Sequence, residues 1–282
     1  MEANMKNRNR IWVTGAGGQV GRAIVKELGF IENEIFTTDV DVDVTDIDEV
    51  LRYGDMNYPD IIIHCAALSD AKECENRVET AYKVNALGAR NIATAARKVN
   101  AKLIYLSTDD IFGEGKGKPL TEFDFAYPET VYGKSKYAGE QFVRELCPKH
   151  LIVRSAWIYG EAPNNFLWRF IEKAKKETTI QVPNNEISSP TSAKELARFI
   201  VKLADSREYG IYHASCEGIC TRYEFACEIA RLAGLSVKVE AVAGEHSSNV
   251  MLDNLMMRMT GIYTMPHWKT ALEEFMEEQK EI

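Results

Sequence analysis

Apolar and polar positions alternate in two rhythms over the first 160 residues of the chain. Short β-branched and aromatic runs at Arg10–Thr14 (RIWVT), Glu34–Thr38 (EIFTT), Asp60–Ala66 (DIIIHCA), Lys102–Ser107 (KLIYLS) and Leu151–Ser155 (LIVRS) read as strands. The third and fourth are nearly continuous in apolar residues, which suits strands covered on both faces. Between the strands, Gln19–Leu28, Asp46–Arg52, Glu79–Val99 and Val131–Leu146 read as helices. In the 79–99 stretch, Ala81, Val84, Leu87, Ile92 and Ala95 recur at helical spacing. Strand and helix in alternation predict an α/β fold, a doubly wound parallel sheet with helices on both faces.

After residue 160 the rhythm loosens. Helices are predicted at 166–176, 192–205, 223–233 and 266–278, with short strands at 179–182, 210–214 and 237–242. Ser192 and Glu195 have the spacing of a capping box. This part reads as a smaller mixed α/β portion packed over the sheet edge. The expected division is 10–160 and 161–282, and the chain could interleave between the two. Gly113–Pro119 (GEGKGKP) reads as a mobile loop, and the first ten residues as frayed.

The turn after the first strand carries the first chemistry. Gly15-Ala16-Gly17-Gly18-Gln19-Val20-Gly21 follows a strand and opens a helix. Glycines there permit a tight turn, close approach of backbone to a pyrophosphate, and helix packing on the strand. The helix start offers free N–H groups and a positive dipole end to phosphates. Asp39 stands at the end of the next strand, 18 residues past Gly21, where it can accept hydrogen bonds from an adenosine ribose. Strand, glycine loop, helix and acid together predict a dinucleotide cofactor, and so a Rossmann-type sheet. Asp41 and Asp43 follow Asp39, and no Arg or Lys lies between Asp39 and Arg52. A 2′-phosphate would meet carboxylates there, so NADH is the expected cofactor, with NADPH second.

Tyr132 and Lys136 form the only Tyr-x-x-x-Lys in the chain, at the start of the helix after the fourth strand. Four residues apart, they share a helix face. A free phenol titrates near 10, and a neighbouring ammonium would lower that value. The fourth strand ends in Ser107-Thr108-Asp109, at the edge where open α/β sheets bind ligands. Thr108 can hydrogen-bond a substrate carbonyl while Tyr132 exchanges its proton.

Composition narrows the partners. The 282 residues are 45% apolar and 27% charged, with a net charge of −8. An acidic chain argues against nucleic acid or an anionic membrane as main partner. No run of 18 apolar residues could span a bilayer, and no signal-peptide core follows MEANMKNRNR. The six cysteines fit no disulfide or zinc framework, and the five histidines pair with no acid at metal spacing. The expectation is a cytoplasmic protein without a metal.

Taken in order, these motifs resemble the extended short-chain dehydrogenase/reductase superfamily, and within it the dTDP-4-dehydrorhamnose reductase family. The likeness runs from Ile11 to about Phe275. It rests on Thr14-Gly-Ala-Gly-Gly-Gln-Val-Gly21, Asp43-Val-Thr-Asp46, His64-Cys-Ala-Ala67, Val84-Asn85, Ser107-Thr-Asp109 with Ile111-Phe112, and Tyr132-Gly-Lys-Ser-Lys136. Arg154-Ser-Ala-Trp-Ile-Tyr-Gly160, Asn164-Asn-Phe166, Pro190-Thr191 and Tyr212-His213 complete it.

The resemblance implies reduction of the C4 ketone of a nucleotide-linked 6-deoxysugar, with dTDP-L-rhamnose as product. It implies catalytic roles for Thr108, Tyr132 and Lys136. It implies a cofactor held by Gly15, Gly18, Gln19, Val20, Gly21, Asp39, Asp43, Val44, Cys65, Ala66, Ala67 and Asn85, besides Tyr132 and Lys136. Substrate would meet Ser69, Thr108, Asp109, Trp157, Asn165 and His246. A homodimer could form through helices 79–99 and 131–146.

The chain departs from the family pattern at Asp110, where the family usually has Tyr, and at Leu68 to Lys72. At His246-Ser247 the family usually carries an Arg-Pro pair. All these departures lie on the substrate side. Two other readings stay open: a nucleotide-sugar epimerase or dehydratase of the same superfamily, and a cofactor-binding regulatory subunit without turnover, like the β subunit of methionine adenosyltransferase.

Overall fold

The computed structural model of the chain describes residues 9–29, 33–115, 117–244 and 247–280. Most of the segment expected to fray therefore lies outside the described residues. Six parallel strands form the main sheet: β1 (Arg10–Thr14), β2 (Glu34–Thr38), β3 (Ile61–His64), β4 (Lys102–Thr108), β5 (His150–Ser155) and β6 (Gly210–His213). Their spatial order is β6-β5-β4-β3-β1-β2. The longer helices are α1 (Gln19–Leu28), α2 (Ile47–Asn57), α3 (Ala89–Val99), α4 (Val131–Leu146), α5 (Phe166–Ala174), α6 (Ala193–Asp205), α7 (Arg222–Leu232) and α8 (Trp268–Glu278).

Strand pleating sorts consecutive residues to opposite faces. Ile11, Val13, Ile61, Ile63 and Ile104 pack with Ile24, Leu196, Phe199 and Ile200 beneath α1 and α6. Trp12, Ile62, Leu103 and Tyr105 pack on the other face with Val50, Ile92 and Val143, beneath α2, α3 and α4. Strand order reverses between β1 and β3, where a crevice opens at the carboxyl ends of the strands. A second core, with Leu167, Phe170, Ile180, Phe225, Ile229, Trp268 and Phe275, joins α5, α7 and α8 over the crevice. Residues 193–213 complete the first sheet, since β6 pairs with β5 and α6 packs on α1. The chain thus returns to the first sheet after residue 160.

Local structure departs from the hydrophobic pattern in three places. The predicted 79–99 helix is Val78–Tyr82, a π-helical turn at Lys83–Gly88, then α3. That turn carries Asn85, whose amide bonds Leu68 N (2.8 Å), Leu68 O (3.0 Å) and Ser135 Oγ (2.9 Å). Gly139 of α4 lies so near that a Cβ would sit 2.5 Å from Asn85 O. Ser192 caps no helix with its side chain, and the Glu195 carboxylate bonds Arg198 and the Tyr263 hydroxyl (2.7 Å) instead of reaching back. The capping box forms at Thr221 and Glu224, opening α7. The glycine-rich stretch expected to be mobile is docked at both ends. Asn249 N donates to Glu114 O at 2.8 Å, and Pro119–Leu120 pairs with Met251–Leu252.

Beneath the crevice lies a buried ion pair. Arg154 of β5 donates from Nε to Glu140 Oε1 (3.0 Å) and from Nη2 to Oε2 (2.8 Å). His213 sits 3.5 Å from the same guanidinium, edge-on to Phe112. Burial and the Arg154 charge lower its pKa to about 3. The unfolded chain protonates this imidazole below about 6.5 and the folded chain does not, so stability falls as pH drops from about 6.5 toward 3. Denaturant titrations of wild type and His213→Gln should diverge in that window. Wild type is expected to lose about 1.4 kcal/mol more per pH unit. Parallel pH profiles would refute this assignment.

Among the described residues all six cysteines are free thiols, and no group of His, Cys, Asp and Glu could hold a metal ion. No described helix is long and apolar enough to cross a membrane.

Candidate active site

One cavity of about 910 Å³ runs from the glycine loop, past the end of β4, to the wall formed by α5 and α7. At the loop, Gly15 has φ +65°, and a Cβ there would meet Ala66 N at 2.6 Å. A Cβ on Gly21 would lie 2.2 Å from Gly15 O. Only glycine lets the loop fold onto β3 and α1 onto the loop. The α1 N-cap, Gly18, supplies no side chain, so the first N–H groups of α1 face the cavity mouth with no acceptor of their own. This cradle suits a pyrophosphate. Gln19 crosses to the second lobe, donating to Ile158 O (2.9 Å) and accepting from Asn165 Nδ2 (2.7 Å).

Gly15, Gly18, Gln19, Val20, Gly21, Cys65 and Ala67 line this cavity. Ala66 packs its backbone on Gly15. Asp39 lies in an adjoining pocket, its carboxylate so close that a Cβ on Gly17 would be 2.0 Å from it. The same pocket holds Arg22 and Lys26 of α1. Arg22 Nε donates to Gly17 O (2.7 Å), and Lys26 pairs with Glu161 (2.8 Å). The sequence between Asp39 and Arg52 lacks a cation, but α1 delivers two from before it. Asp43, Val44 and Asn85, also expected at the cofactor, line neither the cavity nor the adjoining pocket. Asp43 accepts from Thr45 N (2.8 Å) and closes a turn before α2. Val44 is buried in the core against Gly88. Asn85 holds the loop after β3 to α4, as described above, and so acts by positioning.

Thr108, Tyr132 and Lys136 meet midway along the cavity. Thr130 caps α4 by accepting from Gly133 N (2.9 Å), and a Cβ on Gly133 would lie 2.4 Å from Asp110 O. Close packing of the α4 start on the turn after β4 therefore puts Tyr132 beside Thr108, whose hydroxyl acts on the phenol. Thr108 Oγ1 also lies 3.3 Å from Asp109 Oδ1, and Asp109 Oδ2 accepts from Ser188 Oγ at 3.2 Å. Burial and the nearby Asp110 push the Asp109 carboxyl up to about 7.

Lys136 is buried, with Nζ donating to Leu106 O (2.6 Å) and lying 4.1 Å from the Tyr105 ring centre. Burial lowers its pKa to about 8, against the pull of Glu140. The Tyr132 phenol is held well above its usual 10 by desolvation and by Asp110, with only the Thr108 bond opposing. Any lowering by Lys136 is outweighed, because burial dominates, two carboxylates lie near the phenol and the ammonium bonds Leu106 O. The tyrosine is thus a neutral acid at pH 7.

Ser69, Asp109 and Trp157 line the substrate end. Trp157 has φ +41°, a left-handed backbone that a bulky residue keeps only where its surroundings impose it. Asn165 lines the cavity too, but its amide donates to Gly160 O and Ala162 O as well as Gln19, and its Oδ1 caps α5. His246 lies outside the described residues. Arg222 and Arg169 also line this end, and neither sits in a recognisable motif. Only folding of α5 and α7 over the sheet brings them to the cleft.

The RmlD substrate binding domain family model matches residues 9–281. The chain belongs to this family. It is 34% identical over 255 residues to dTDP-4-dehydrorhamnose reductase of Aggregatibacter actinomycetemcomitans, covering 87% of this chain and 83% of that protein. It is 33% identical over 279 residues to the spore coat polysaccharide biosynthesis protein SpsK of Bacillus subtilis, covering 96% and 98%. Among solved structures, dTDP-4-dehydrorhamnose reductase from Bacillus anthracis in complex with NADP superposes with a TM-score of 0.94 at 39% identity, over 96% of this chain and 99% of that one. Two of these three proteins are named reductases, one of them in complex with NADP, and this chain is an NAD(P)H-dependent oxidoreductase of the nucleotide-sugar reductase kind.

Proposed function

We propose that the protein reduces the C4 ketone of a nucleotide-linked 4-keto-6-deoxysugar, with dTDP-4-dehydrorhamnose the first substrate to try. The observation that carries this reading is the single cavity, with a phosphate cradle at one end, a neutral Tyr132 beside Thr108 in the middle, and Trp157 at the other. A bound reduced nicotinamide would supply the hydride. Thr108 and Tyr132 would hold the ketone oxygen, and Tyr132 would give it a proton. Reduction needs the protonated phenol, which is the form this site favours. The charge on Lys136 and the Thr108 hydrogen bond would then stabilise the phenolate left behind.

Loss of NADH absorbance in the presence of dTDP-4-dehydrorhamnose tests the reading, with one NADH expected to disappear per sugar reduced. Turnover that returns the cofactor would instead indicate an epimerase or dehydratase.

For the cofactor, Asp39 favours NADH and the free end of Arg22 admits NADPH, so both should serve with NADH ahead. Asp39→Ala should move the ratio of kcat/KM values at least about tenfold toward NADPH. Arg22→Ala should lower kcat/KM for NADPH by a similar factor and leave NADH nearly unchanged. Equal effects of Arg22→Ala on the two cofactors would refute the assignment.

A further inference from the structure

We propose that Arg222 receives the diphosphate of the nucleotide-linked substrate, an assignment that rests on the nucleotide-sugar reading above. Arg222 opens α7 and enters the cleft from the lobe opposite the glycine loop. Its guanidinium lies 3.4 Å from the Trp157 ring centre and 4.8 Å from that of Phe166, and only 17% of the side chain is exposed. Nε donates to Glu186 at 3.2 Å. Among the described residues, the two terminal nitrogens have no protein partner.

Other cations of the fold are engaged or stand elsewhere. Lys102 Nζ bonds three carbonyls, of Leu203, Ala204 and Ser206. Arg154 engages both oxygens of Glu140. Lys136 is committed to Leu106 O. Arg22 stands in the Asp39 pocket, and Arg169 is exposed at the lip. Among the described residues of the cavity lining, Arg222 is thus a half-buried guanidinium whose two terminal nitrogens are left to give. Stacking on Trp157 fixes the plane of its fork, and a planar fork matches two phosphate oxygens.

Its place relative to the reacting groups fits a sugar nucleotide. Arg222 lines the same cavity as Asp109, Asp110 and Tyr132, and its charge acts on both carboxylates. Ser248 lines the same wall. A diphosphate here would put the attached sugar between Trp157 and Thr108. The Arg222 cation also partly offsets three nearby carboxylates, Asp109, Asp110 and Glu186, that would otherwise repel an anionic substrate.

Calorimetric titration of the NADPH-loaded protein with dTDP and with thymidine tests the assignment. Arg222→Met keeps much of the stacking volume and removes the charge. It should weaken dTDP binding about 10- to 100-fold and leave thymidine and NADPH within about twofold. The KM for dTDP-4-dehydrorhamnose should rise by a similar factor with kcat nearly unchanged. Arg222→Lys, which serves if the methionine variant does not fold, should lose about three- to tenfold for dTDP because it lacks the fork. Unchanged dTDP affinity in the variants would overturn the proposal, as would a parallel loss for dTDP and thymidine, which marks a packing role. If wild type binds NADPH but neither dTDP nor UDP, the nucleotide-sugar reading falls and takes this assignment with it.

Discussion

Tyr132→Phe is expected to lower kcat at least about 10²-fold and to leave the affinity for NADPH within about twofold. The size follows from the role. Removing a positioned general acid typically costs about 10²- to 10⁴-fold, and nothing beside Tyr132 replaces it readily. Asp109, with a pKa near 7, is the nearest second acid, but its oxygens are engaged by Thr108 and Ser188. The phenol lies by Thr108, while the cofactor loop is held by glycine packing and by Asn85, so loss of one hydroxyl should leave that loop in place. Stopped-turnover assays with NADH and a fluorescence titration of NADPH separate the two effects. Unchanged turnover in Tyr132→Phe would support the regulatory-subunit reading. A parallel loss of NADPH binding would mean that Tyr132 acts by holding the loop.

The sequence makes the sheet legible because its central strands are buried on both faces and its first helices carry clean periodicity. The bounds of β1, β2, α1 and α4 follow directly from the pattern. The glycine loop is legible for a different reason: a Cβ at Gly15 or Gly21 would strike backbone, so the residue type itself reports the geometry. What stays hidden depends on contacts between distant segments. The π-helical turn at Lys83–Gly88 keeps helical spacing in sequence, and only the bonds of Asn85 to Leu68 and Ser135 reveal its purpose. Glu195 has capping-box spacing, yet Tyr263, 68 residues on, competes for its carboxylate. Arg22 follows Gly21 directly, but whether it turns toward Asp39 depends on how α1 packs. Arg222 is a lone arginine until α7 folds over the cleft.

Glu140→Gln is expected to destabilise the protein by about 3 kcal/mol or more and to bring the alkaline fall in activity to lower pH. Glu140 is fully buried on α4, one turn after Lys136, and its two oxygens carry the buried Arg154 guanidinium. A glutamine keeps the shape but leaves that cation without its counter-charge, and breaking a buried pair costs about 3–5 kcal/mol. The urea midpoint should fall with the slope unchanged. The second effect has an independent cause. The Glu140 charge supports protonated Lys136, whose pKa burial has already lowered to about 8. Without it the ammonium is lost at lower pH, and with it the stabilisation of the phenolate left on Tyr132. The double variant Glu140→Leu with Arg154→Met separates the two. Replacing both partners by apolar groups should restore much of the stability, while the alkaline limb stays displaced, because the field at Lys136 is still gone. If the double variant recovers the wild-type pH profile as well, Glu140 acts on α4 only through its grip on β5.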